Sequence, residues 1–139
     1  EPEPALEPEL RNTIGQALMA SGTDSASVIN ELNEISSANS SESNAEHFQN
    51  AMEHLELFKS RLTSVLQGCN GISVLAECKT LTEDLLTQTD QALEYFGNTE
   101  DISSPDSAAL EQAKALIEDI VPPLRVLWNT WLEITETNA

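Results

Sequence analysis

The sequence predicts an all-α protein, an up-and-down bundle of four to five helices whose last helix is kinked or broken at Pro122-Pro123. Three observations carry that expectation. Leu, Ile, Val and Ala recur at helical spacing along most of the chain. Apolar residues make up 40% of it but aromatic residues only 4%, a mixture suited to helices packed on helices. No stretch combines strict alternation with β-branched enrichment, which leaves nothing for a sheet. A chain of 139 residues falls within the one-domain range and can enclose a single core.

The first residues carry Pro2, Pro4 and Pro8 among glutamates, so residues 1–6 are expected as an extended acidic arm and residues 7–139 as the bundle domain. Leu6, Leu10, Ile14 and Leu18 then repeat at four-residue intervals, predicting a helix from about residue 7 to Ala20 that Ser21-Gly22 ends. Thr23 or Asp24 would cap a short second helix carrying Val28, Ile29, Leu32 and Ile35. The polar run from Ser36 to Asn44 reads as a loop whose serines can cap the next helix.

Phe48, Met52, Leu55, Phe58, Leu62, Val65, Leu66 and Cys69 line one stripe of a third helix, stopped by Gly68 and Asn70-Gly71. A fourth helix turns Leu75, Cys78, Leu81, Leu85, Leu86, Leu93 and Phe96 inward and ends at Gly97-Asn98. Asp106 or Ser107 caps the fifth, whose stripe is Leu110, Ala113, Ile117, Ile120, Leu124, Leu127, Trp131 and Ile134. The two prolines remove backbone donors inside that stripe, hence the expected kink. The three long helices and the paired short ones would make four columns.

Lys and Arg total 6 against 24 Asp and Glu, a formal charge of −18. That sign excludes phosphate neutralisation as a binding mode, so no nucleic acid is expected, and it disfavours anionic membranes. No run approaches the ~18 to 20 apolar residues of a membrane span. Self-repulsion favours a monomer, and the field attracts basic surfaces.

Chemistry-bearing motifs are sparse. No nucleophile elbow, phosphate loop or calcium loop occurs, and adjacent acidic pairs such as Glu83-Asp84 point in different directions on a helix, so the expectation is a protein that is not an enzyme and needs no cofactor. His47 and His54 lie two turns apart, too far for the usual helical zinc pair, and read as solvated helix-face histidines with no metal. Cys69 and Cys78 could staple a hairpin as a disulfide, provided the fourth helix starts late, near Ser73 to Ala76; the alternative is two buried thiols. Asn39-Ser40-Ser41 is a candidate glycosylation site. The chain begins at Glu1 rather than Met, as a processed mature protein or a trimmed chain would, either of which would hide a removed signal peptide, and an extracellular location is expected.

The leading functional expectation is a secreted, non-enzymatic acidic protein that docks on a basic surface of another extracellular protein, with or without inhibiting it. Its candidate contacts are Glu53, Glu56 and Asp90, with Trp128 and Arg125 as a half-exposed anchor pair on the last helix. An alternative is a carrier that holds an apolar, fatty acid-like small molecule within the bundle, lined by Phe58, Phe96, Trp128 and Trp131. A second alternative is an intracellular polyanion mimic with free thiols.

Overall fold

In the computed structural model, which describes residues 6–137, the chain forms helices α1 (Pro8–Glu34), α2 (Ser41–Cys69), α3 (Ala76–Asn98), α4 (Ala108–Glu118) and α5 (Val121–Thr137). Single 3₁₀ turns at Ser73–Leu75 and Glu100–Ser103 precede α3 and α4. Among the described residues there is no strand. Helix α1 packs on α2, α2 on α3, α3 on α5, and α4 and α5 close back on α1. The result is a four-column, up-and-down bundle in which α4 and α5 together form the last column.

The buried positions explain this arrangement. They fall at Ile14, Leu18, Ser21, Ser25, Val28 and Leu32 on α1 and at Ala51, Leu55, Phe58, Leu62, Val65 and Cys69 on α2. On α3 they are Cys78, Thr82, Leu85, Thr89, Ala92 and Phe96. Each series alternates steps of three and four, a mean period of 3.5 that keeps one seam of every helix facing its neighbours in the slightly supercoiled geometry of such bundles. The same alternation runs through Leu110, Ala113, Ile117, Ile120, Leu124, Leu127 and Trp131, straight across the junction of α4 and α5.

That continuity limits the expected proline break to a shallow bend of 15°. Helix α5 starts at Val121, so Pro122 and Pro123 occupy its first turn, where backbone N–H groups need no intrahelical partner. The Asp119 and Ile120 amides are satisfied by the Ala115 and Ile117 carbonyls at 3.0 Å each.

Two expected short helices are in fact the single helix α1. Ser21-Gly22 does not end it, because the seam continues through buried Ser21 and Ser25, whose hydroxyls donate to the Leu18 and Gly22 carbonyls at 2.7 and 2.9 Å. Asp24, expected as a cap, lies mid-helix and is 7% exposed, with Arg61 Nε at 3.4 Å and His54 Nδ1 at 3.8 Å. Residues 1–5 of the expected arm, with Glu1 and Glu3, lie outside the described residues, while Leu6 is already buried in the core.

The loop between α1 and α2 is organised by buried Asn44. Its carbonyl oxygen accepts from the Ser36 amide and from Asn39 Nδ2, both at 3.1 Å, and its own amide donates to the Ser36 carbonyl at 3.0 Å. Ser40 caps α2 by accepting from the Ser43 amide. After α2, Asn70 and Gly71 make a type II turn closed by the Ile72 amide on the Cys69 carbonyl; Gly71 has φ 80°, which this turn position requires. Ser107 caps α4 by accepting from the Leu110 amide, while its hydroxyl donates to the Asp101 carbonyl.

Two glycines divide close packing from open space. A Cβ on Gly68 would lie 2.8 Å from Ile14 Cγ1, whereas one on Gly22 would meet nothing within 4 Å. Gly68→Leu is therefore expected to lower the unfolding free energy by roughly 1–3 kcal/mol through overpacking, and Gly22→Ala to raise it by roughly 0.5–1 kcal/mol by replacing a mid-helix glycine. Urea denaturation of the two variants checks both signs.

Candidate functional site

Between α1 and α5 the bundle opens into a cleft of about 330 Å³. Helix α1 contributes Leu18, Met19 and Gly22, and α5 contributes Leu124, Arg125, Trp128 and Asn129. The heptad seam accounts for the shape. Leu18 and Leu124 belong to the core and form the inner wall, while Met19, Gly22, Arg125 and Trp128 flank the seam. At Gly22 the missing side chain leaves the space above the helix empty. Trp128 stands half-buried on the other side, and Met19, 64% exposed, forms part of the rim. A shallower groove lined by Pro8, Arg11, Asn12, Gly15 and Gln16 also ends at Met19, so the two recesses adjoin along α1.

The lining is mainly apolar, and Arg125 is its one charged side chain. No carboxylate lines the cleft, although the chain has 24. Arg125 is exposed and, among the described residues, has no ion-pair partner. Asn129, further along α5, adds an amide. The size lies at the lower end of small-molecule pockets, roughly 300–1,000 Å³, and the combination of apolar walls with a few polar groups is typical of them.

The residues expected at a site distribute differently. Of the expected apolar lining, only Trp128 reaches the cleft. Phe58, Phe96 and Trp131 are core side chains: their positions fall on the seams of α2, α3 and α5, so the bundle closes over them. Phe96 stacks its ring at a tilt on Phe48, centroids 5.9 Å apart, and the Trp131 indole nitrogen approaches Gly15 of α1. Arg125 and Trp128, paired in the sequence as a surface anchor, do come together at the rim. Sequence reasoning missed Leu18, Met19 and Gly22, the α1 half of the cleft.

Among the expected acidic contacts, Glu53 and Glu56 are exposed on α2, whereas Asp90 is engaged by Lys59 at 2.7 Å across α2 and α3. The histidines are partly exposed and turned toward α1. His47 Nδ1 lies 2.7 Å from Glu31 Oε2 and His54 turns toward Asp24, so both face α1 because they flank the α2 seam on that side. Asn39 Nδ2, the atom a glycan would occupy, donates to the Glu34 carbonyl at 2.7 Å and to Asn44.

The expected disulfide is absent. Helix α3 does start late, at Ala76, yet Cys69 and Cys78 are both free and buried. Each occupies a seam position and fills it as a small apolar side chain. Burial pushes the Cys69 thiol up from 9.0 to about 11. It pushes Cys78 to about 12, with smaller contributions from neighbouring Cys69 and Glu77.

Two consequences are measurable. Native protein should react only slowly with a thiol reagent near pH 8, and both thiols should react at once in denaturant. Because the folded thiols ionise later than unfolded ones, their contribution to stability is intact below about pH 9 and is lost as pH rises toward 12. The double variant Cys69→Ala, Cys78→Ala should show a shallower alkaline decline in urea unfolding.

Compared with protein-family models, curated proteins and solved structures, the chain has no match in any of the three.

Proposed function

We propose that this protein is a non-enzymatic binding protein that holds a small apolar ligand in the cleft between α1 and α5. The observation that carries this reading is the cleft itself: open at Gly22, walled by Trp128 and Leu124, and free of carboxylates in a strongly acidic chain. Burying an alkyl chain there contributes about 0.8 kcal/mol per methylene removed from water. The binding surface lies on the flank of the bundle, between two helices, so a ligand can enter without dismantling the core.

A second reading has its own support. Glu53 and Glu56 project from α2 into solvent, and a charge of −18 favours docking on a basic protein surface, with or without inhibition of that partner. Free Cys69 and Cys78 withdraw the support that a disulfide would lend to secretion, and they favour the version of this reading in which a polyanion mimic acts inside a cell. Among the described residues no helix is long and apolar enough to cross a membrane.

Titration with straight-chain alcohols of increasing length, monitored by tryptophan emission, tests the cleft. A saturable change in emission is expected for the native protein and its loss in Gly22→Leu, with helix content by circular dichroism preserved. Absence of any saturable response, both between octanol and hexadecanol and with dodecanoate, would remove this reading. The second reading predicts instead an affinity for basic proteins that falls steeply between low and physiological salt.

A further inference from the structure

Resting on the cleft reading, we infer that the ligand is a free single-chain amphiphile with a carboxylate head, received by Arg125 at the rim while its chain lies over Gly22 between Leu18, Leu124 and Trp128. The chain has only six lysines and arginines. Lys59 is held by Asp90, Arg61 by Asp24 and Lys114 lies within reach of Glu111. Those three of the six cations already lie beside carboxylates of the protein, whereas Lys79 has no such neighbour among the described residues and lines a different recess, beside Cys69 and Ile72. Arg125 likewise has no such partner among the described residues, and it stands at the mouth of the apolar cleft between α1 and α5.

A guanidinium presents its donors in a planar fork that matches both oxygens of a carboxylate. Asn129 lines the same rim one turn along α5, and its amide can add a further donor to the same head group. The cleft thus has a polar end and an apolar body, which is the division of an amphiphile. A neutral apolar ligand would leave the guanidinium unused, and a cationic one would be repelled by it.

The overall charge selects among carboxylate sources. An anionic bilayer would face the whole acidic surface at close range, whereas a single dissolved anion meets Arg125 directly and the remaining carboxylates only through a screened field, with a Debye length of about 8 Å at physiological salt. A free monomeric chain is therefore the occupant, and a lipid surface is not.

The test compares dodecanoate, dodecanol and dodecyltrimethylammonium, each below its micelle concentration, against the native protein, Arg125→Gln and Gly22→Leu at physiological salt by calorimetry and tryptophan emission. Arg125 is exposed, so its replacement leaves the core intact. Dodecanoate is expected to bind native protein more tightly than dodecanol, and Arg125→Gln to weaken dodecanoate by about ten- to a hundredfold while dodecanol is unchanged. Gly22→Leu is expected to abolish both. If dodecanol binds, dodecanoate binds no tighter and Arg125→Gln alters neither, the head-group inference is overturned and the cleft reading stands. If the ammonium chain binds best, the inference is likewise overturned. If no chain binds, the cleft reading itself falls. Association with phosphatidylglycerol vesicles as strong as with free dodecanoate would overturn the choice of a dissolved ligand.

Discussion

The alternation of three- and four-residue steps between buried positions governs this molecule. It runs along every column, and because it is the same on each, the four columns can mesh along their seams. It is strong enough to carry the fourth column through two adjacent prolines with little deflection. It also sets what the core can be made of. Several seam sites hold Ser or Thr, and Thr82 and Thr89 donate to the Cys78 and Leu85 carbonyls of their own helix at 2.7 Å. A hydroxyl satisfied within its own helix needs nothing from its neighbour, so it can sit at a seam without imposing a partner.

Charge acts at a second level. The acidic surface contributes little to the choice of fold, but apart from Lys114 beside Glu111 within α4 its matched cations and histidines sit between particular helices. His47, His54 and Arg61 of α2 meet Glu31 and Asp24 of α1, and Lys59 of α2 meets Asp90 of α3. Such pairs are worth little where exposed. At Asp24, buried among them, losing the partners would strand a carboxylate, which is far more costly. None of these pairs joins α1 to α5. The cleft lies between those two helices.

The chemistry of the seam decides how much of the fold and the cleft is legible in the sequence. Helix α2 and the α4/α5 column were legible because their seam residues are apolar. Helix α1 was split in two because its seam passes through Ser21 and Ser25, and a reading based on hydrophobic period loses the helix there; Gly22 then completes the false stop. The α5 half of the site was legible from Trp128 beside Arg125 at the edge of a regular stripe. The α1 half was not, since what matters at Gly22 is an absent side chain opposite a residue from the far end of the chain. The phenylalanines misled for a simpler reason: large aromatic side chains signal burial, and burial here meant the core.

The attachment of α5 has a thermodynamic consequence. This helix buries only Leu124, Leu127 and Trp131 over its length and leaves Val126 and Leu132 exposed, so detaching it uncovers less apolar surface than detaching α2. Native-state hydrogen exchange would then report α5 as a weak cooperative unit, opening at a free energy well below that of global unfolding. A ligand seated between α1 and α5 exists only while that unit is closed. Its occupancy would therefore be written into the amide protection of α5, and a molecule touching a few side chains would govern how often an entire helix leaves the bundle.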